Sequence, residues 1–155
     1  AVEDLLRMRK REGENVRKDV EGRLGTIEKL TKQVQERAPT VLETYQKRLE
    51  ERVSTLVTQR GLELGKLDIL KEVAVYADKC DVSEELQRLG SHVEQFRKIL
   101  KSEGGIGRRL DFLTQEMARE ANTLTTKGND SKISIHAVEM KAELEKIKEQ
   151  SENIE

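Results

Sequence analysis

The sequence predicts an all-α protein, and three observations carry that prediction. Apolar residues recur at spacings of three and four along most of the chain, strand-like alternation is nearly absent, and 155 residues contain one proline. With 3% aromatic and 38% charged residues, a compact globule would be short of core, whereas long helices sharing apolar seams need less. The expected architecture is a long antiparallel helical hairpin, an arm over residues 1–60, followed by a bundle of four shorter helices over residues 61–155.

The arm opens with a helix expected from about residue 3 to 37, whose stripe is Val16, Val20, Leu24, Ile27, Leu30 and Val34. Gly13, Gly22 and Gly25 loosen it, each by roughly 1 kcal/mol relative to alanine. Pro39 is expected to stop this helix and start the next, because its ring removes a backbone donor yet suits a first helical turn. Leu42, Tyr45, Leu49, Val53 and Leu56 then continue to about Arg60 at near-heptad spacing. The glycines of GLELGKLD break the pattern, and a shorter helix is expected from Lys66 to Lys79.

Asp81 and Ser83 are both suitable N-caps for the next helix, which is expected to run to Ser102 with Glu84 and Glu85 in its first turn. SEGGIG marks another break. A further helix is expected over residues 108–126, TKGNDSK reads as a polar loop, and the last helix is expected over residues 134–153.

Charge is balanced overall but not locally. The chain holds 29 Lys plus Arg against 30 Asp plus Glu, which excludes a uniformly basic nucleic-acid binder and leaves room for local basic surfaces. Residues 1–60 carry +3, 61–105 carry −2, 106–132 carry +1 and 133–155 carry −3. The densest basic run, Arg7, Arg9, Lys10 and Arg11, reads as a solvated helix face. No apolar run reaches the roughly 18–20 residues that a membrane span needs, and no secretory signal pattern opens the chain. Cys80 is the sole cysteine, so no internal disulfide can form and a reducing, cytoplasmic setting is expected. The chain starts with Ala1 inside a helical pattern, and the expectation is a C-terminal part of a longer polypeptide.

No P-loop, dinucleotide fingerprint, paired-cysteine motif or HExxH is present, so nucleotide-binding and zinc-site readings lack support. The informative residues are charged groups on the apolar seams of two helices. Around Leu89, the residues Leu86, Val93, Phe96 and Leu100 form one stripe, with Glu85 and His92 on its edge and Arg88 just beyond. Around Leu113, the residues Leu110, Met117 and Leu124 form a second stripe, which Glu116, Glu120, Arg109 and Lys127 invade.

A carboxylate in such a seam costs several kcal/mol unless it is paired, hydrogen-bonded or bound to a metal. Glu116 and Glu120 lie one turn apart and can converge on one cation, with His92 of a neighbouring helix beside them. Interhelical pairs such as Arg88 with Glu120, or Arg109 with Glu85, would satisfy the same residues without chemistry, and on pattern alone that is the commoner arrangement. His136 reads as a surface or capping residue, and Cys80 as a small core residue.

The blocks ADKCDVSEELQRLGSHVEQF, GIGRRLDFLTQEMAREANTLTTK and VEMKAELEKIKEQSENIE resemble signature blocks of the C-terminal half of the YicC/YloC family of bacterial endoribonucleases, and the opening RKREGENV resembles the start of that family's helical arm. The family's N-terminal domain matches no part of the chain. The resemblance implies metal-dependent cleavage of single-stranded or loosely structured RNA by a ring-like homo-oligomer, a hexamer, using Mn²⁺ or Mg²⁺. DNA specificity is not expected.

The matched positions are Asp81, Glu84, Glu85, Arg88, His92, Gly107, Arg109, Asp111, Gln115, Glu116, Arg119, Glu120, Asn122, Thr123 and Lys127. Gly128 stands where the family more usually has serine. Among these positions, Glu116 and Glu120 are the expected metal ligands together with Glu85, and His92 the expected general acid or base, since an imidazole titrates at roughly pH 6.5. His92, Glu116, Arg119 and Glu120 make up the expected catalytic set. Arg88, Arg109, Asn122 and Lys127 are the expected RNA-binding residues, with Arg119 also gripping phosphate. Few aromatics imply contacts to the RNA backbone rather than base stacking. The competing readings are a non-catalytic oligomerisation and RNA-clamp module, and an adaptor coiled coil that leaves the charged seam unexplained.

Overall fold

The computed structural model describes residues 1–61 and 65–154. It contains five helices among the described residues: α1 (Val2–Arg60), α2 (Lys66–Cys80), α3 (Ser83–Leu100), α4 (Ile106–Lys127) and α5 (Ser131–Ser151). The all-α class and the presence of four shorter helices agree with the sequence, but those four do not make the bundle by themselves: α2 packs on α1, and α1 takes its place beside α3, α4 and α5. The arm is built differently.

Helix α1 runs unbroken for 59 residues with Pro39 inside it, so no hairpin turn occurs at Pro39. Proline costs a helix one backbone hydrogen bond, and the flanking turns outweigh that loss here by burying Leu30 and Val34 before it and Val41 after it. The hairpin instead closes beyond Arg60. Gly61 takes a left-handed conformation (φ 65°) and its N–H donates to the Val57 carbonyl, ending α1. Residues 62–64, within the expected GLELGKLD break, lie outside the described residues. Helix α2 then returns along the distal part of α1, where the rings of Tyr45 and Tyr76 stack with centroids 3.6 Å apart.

The middle of α1 belongs to a four-helix bundle with α3, α4 and α5, each helix packing on two neighbours in the cyclic order α1–α3–α4–α5. Ion pairs fix the directions. Arg23 with Glu143 and Arg37 with Asp130 set α5 antiparallel to α1, while Arg97, reaching Glu21 and Glu28, ties α3 to α1. The core is aliphatic, with Leu24, Ile27, Leu89, Leu110, Met117, Leu124, Ile133, Met140, Leu144 and Ile147 fully enclosed around Phe96.

Helix boundaries show how local chemistry acts. Asp81 accepts a hydrogen bond from the Ser83 N–H at 3.0 Å, so it satisfies the start of α3 although Val82 holds the cap position. Helix α5 starts three residues earlier than the sequence suggested, because Asp130 is its N-cap and accepts from the Ile133 N–H at 3.2 Å. At Gly128 a Cβ would stand 2.7 Å from the Ile133 side chain and from the Leu124 carbonyl, so α4 can pass this close to α5 only with glycine there.

Candidate functional site

Where α3 meets α4, the two helices bring together the charged positions singled out above. Glu85 is 4% exposed and Glu120 is 8% exposed, so both carboxylates do enter the apolar seam. Each has a cation. The Arg88 Nε donates to Glu120 at 2.8 Å, while its other nitrogens lie 3.4 Å from Glu84 and 3.7 Å from Glu85. Lys127, one helical end away, donates to the Glu85 Oε1 at 3.2 Å.

The outcome is an alternating chain of charges across the helix pair, from Lys127 through Glu85 and Arg88 to Glu120. The Arg88–Glu120 pair expected from the sequence is present; the Arg109–Glu85 pair is not, because Lys127 and Arg88 occupy Glu85. The Glu120 hydrogen bond, with smaller help from Glu84 and Glu85, raises the Arg88 pKa above its ordinary value against the burial that opposes it, so its charge is permanent. Its side chain nevertheless remains 48% exposed, although each of its three nitrogens has a carboxylate within 4 Å.

The remaining predicted residues divide between seam and surface. Glu116 is half-buried and pairs with Arg119 of its own helix at 3.3 Å, and the Arg119 side chain is 80% exposed. Arg109 and Asn122 are exposed. His92 is half-buried, and its Nδ1 is enclosed without a hydrogen-bond partner. The Glu85 Oε2 is likewise enclosed without a partner. His136 departs from its surface reading in the same way, with a half-buried ring and an unpartnered Nδ1.

These donors do not form a ready divalent-metal site. Although the free Glu85 Oε2 could take a cation, no three His, Cys, Asp or Glu side chains among the described residues stand close enough to share one ion. Glu85 and Glu120 are also already neutralised by Lys127 and Arg88. The arrangement presents oriented cations instead. Carboxylates hold these long side chains in place, and both cations remain partly exposed, Arg88 at 48% and Lys127 at 33%.

Sequence reasoning missed the partner of Glu85 and the whole role of the turn after α4. Asn129 has a positive φ of 46° and donates to the Tyr76 hydroxyl at 2.9 Å, while Asp130 receives Arg37 at 3.1 and 3.2 Å. The signal was present in the tripeptide Gly-Asn-Asp, which combines a residue without a side chain, one tolerant of left-handed backbone and a strong helix cap.

The fold and site define a class, an antiparallel helical bundle with a partly exposed ion-pair network along one helix pair. Comparison with known sequences makes the assignment specific. Residues 34–155 match the family described as "Endoribonuclease YicC-like, C-terminal". The chain is 38% identical, over its full length, to 54% of the "Probable endoribonuclease YicC" of Clostridioides difficile strain 630. It is 38% identical, over 98% of its length, to 52% of the protein of the same description from Haemophilus influenzae. The chain belongs to the YicC-like endoribonuclease family and corresponds to its C-terminal region. It spans about half the length of these relatives. None of its described helices is long and apolar enough to cross a membrane.

Proposed function

We propose that this chain is the helical half of a cytoplasmic endoribonuclease and that its α3–α4 seam holds the RNA backbone for cleavage. The observation that carries this reading is the chain of charges Lys127, Glu85, Arg88 and Glu120, which fixes two cations at a half-exposed seam. Arg88 and Lys127 bind phosphate from the seam, and Arg109, Arg119 and Asn122 bind it from the exposed face of α4. Glu85 and Glu120 orient their cationic partners. His92, one helical turn after Arg88 on α3 and half-buried, exchanges the proton that phosphodiester cleavage requires.

The implied Mn²⁺ or Mg²⁺ finds no complete ligand set among the described residues, and none of these roles depends on it. Metal dependence belongs to the whole protein, in which the other half or a neighbouring copy in a homo-oligomer, a hexamer in this reading, completes the site. One observation favours a second reading, a clamp without catalytic groups of its own: Glu85 and Glu120 each have a basic partner on the facing helix, as a device that fixes helix register would require.

The test is cleavage of a short single-stranded RNA by the full-length protein, with and without a chelator. His92→Ala is expected to lower kcat by roughly 10²-fold or more, and Glu120→Gln to weaken both binding and cleavage by freeing Arg88. Arg88→Met should reduce the steepness of the salt dependence of binding, by about 0.7 in the log–log slope for each single-strand phosphate that the protein no longer neutralises. Wild-type rates in both His92→Ala and Glu120→Gln would eliminate the catalytic reading. Lost binding in Glu120→Gln with a normal cleavage rate for bound RNA would favour the clamp.

A further inference from the structure

The distal arm joins the bundle by two strands of chain, and both are weakened at the same level. One is α1 at Pro39, whose missing N–H leaves the helix without its hydrogen bond to the Gln35 carbonyl. The other is the junction of α2 and α3, where Asp81 and Val82 are not helical. Between the two lies an open, largely apolar cleft of about 440 Å³, lined by Pro39 and Leu42 on one side and by Cys80, Val82, Leu86 and Ile133 on the other. Side chains do not fill the space between arm and bundle.

Above this level the arm is a unit. The Tyr45–Tyr76 stack joins α1 to α2, yet no residue of α2 is fully buried, and α2 packs along α1. The polar tie from α2 to the bundle runs from the Asn129 amide to the Tyr76 hydroxyl at 2.9 Å. Burial, reinforced by the neighbouring Cys80, raises the Tyr76 pKa above its ordinary value, so the hydroxyl stays protonated at any physiological pH. Asn129 itself is held firmly, since Asp130 beside it is fixed by Arg37 and caps α5.

We propose that the arm is a hinged lever that pivots at Pro39 and at Asp81–Val82, and that the Asn129–Tyr76 hydrogen bond is the latch setting its angle to the bundle. The two hinge points share one level, so a single bending motion moves both strands of the arm without breaking its internal stack. Asn129 belongs to the turn that follows Lys127, so the latch lies next to the end of the charged seam. The inference concerns arm geometry and stands whether or not the seam cleaves RNA.

Two substitutions remove the latch alone. Tyr76→Phe keeps the stacked ring and loses the hydroxyl, and Asn129→Gly keeps the left-handed backbone and loses the amide. Spin labels at Thr58→Cys on the arm and Glu94→Cys on α3, both exposed in the native chain, report the angle as a distance distribution. The full-length protein is used, with Cys80 replaced by serine, which keeps a hydrogen-bonding group beside the Tyr76 hydroxyl, and any other cysteines by alanine in every sample. Labelled chains are diluted with unlabelled protein so that one labelled copy is read at a time. Each single variant is expected to shift and broaden the distribution, the double variant to match the singles, and Pro39→Ala added to Tyr76→Phe to narrow it again. An unchanged distribution in both single variants would overturn the latch, as would a double variant showing the summed shifts. Failure of Pro39→Ala to narrow the distribution would overturn the hinge.

Discussion

The two halves of α1 carry similar stripes of apolar residues and meet opposite fates. Between Val20 and Val41 the stripe is buried, with Leu24, Ile27 and Val34 inaccessible to solvent. Beyond Val41 the stripe of Leu42, Tyr45, Leu49 and Val53 is half-buried at best, and Leu56 and Val57 are exposed. One continuous helix thus passes from a four-helix environment to a two-helix one. Burial depends on how many neighbours a helix has, and periodicity alone says only which face they take.

The largest expected effect tests that contrast directly. Leu24→Ala should destabilise the protein by about 3 kcal/mol, against about 1 kcal/mol or less for Leu49→Ala, measured by denaturant unfolding. Equal losses at the two positions would mean that the arm is buried as deeply as the bundle, as it would be against a second copy. Gly128→Ala follows, at about 1–3 kcal/mol, because the added methyl meets the Ile133 side chain and the Leu124 carbonyl at 2.7 Å. Its thermal shift should be a bundle effect, with hydrogen exchange accelerated in α4 and α5 before the arm.

Asp130→Ala comes next, at about 1 kcal/mol for the lost N-cap of α5. Asp130→Asn separates cap from charge. The Arg37 hydrogen bond, outweighing burial and joined by the Ile133 N–H, lowers the Asp130 pKa in the folded state below the ordinary carboxylate value. That interaction therefore stabilises fully above the unfolded value of about 3.9 and fades as pH falls through the lower folded value. Removing the charge should flatten the acid limb of stability below about pH 4. An acid limb identical to wild type would show that the Arg37 pair contributes nothing.

Much of this was legible in the sequence, for identifiable reasons. The four shorter helices, the stripes around Leu89 and Leu113 and the entry of Glu85 and Glu120 into them follow from periodicity. Periodicity is local, and α3 and α4 obey it. Pro39 misled because the cost of a proline in a helix is local, while the burial of Val34 and Val41 that offsets it comes from other helices. The cations facing Glu85 could not be ranked by helical angle alone, since Lys127 reaches it from a different helix along a long, flexible side chain. Arg109 has a comparable angular position on α4 but is exposed. The family resemblance and the helical wheel both singled out α3 and α4, and the Arg88–Glu120 pair could be named from the sequence, while the Lys127–Glu85 pair emerged only from three-dimensional packing.

The unbroken α1 also determines how the protein behaves in solution. At about 1.5 Å per residue, its 59 residues form a rod on the order of 90 Å long that overhangs the bundle at both ends. A compact chain of this size would have a radius of gyration of about 15 Å. The rod raises that value and the frictional drag with it, so a single chain elutes from a sizing column ahead of globular standards of its 17.8 kDa mass. Elution volume would then mimic a larger assembly, and counting subunits calls for a mass measurement indifferent to shape, such as light scattering or equilibrium sedimentation.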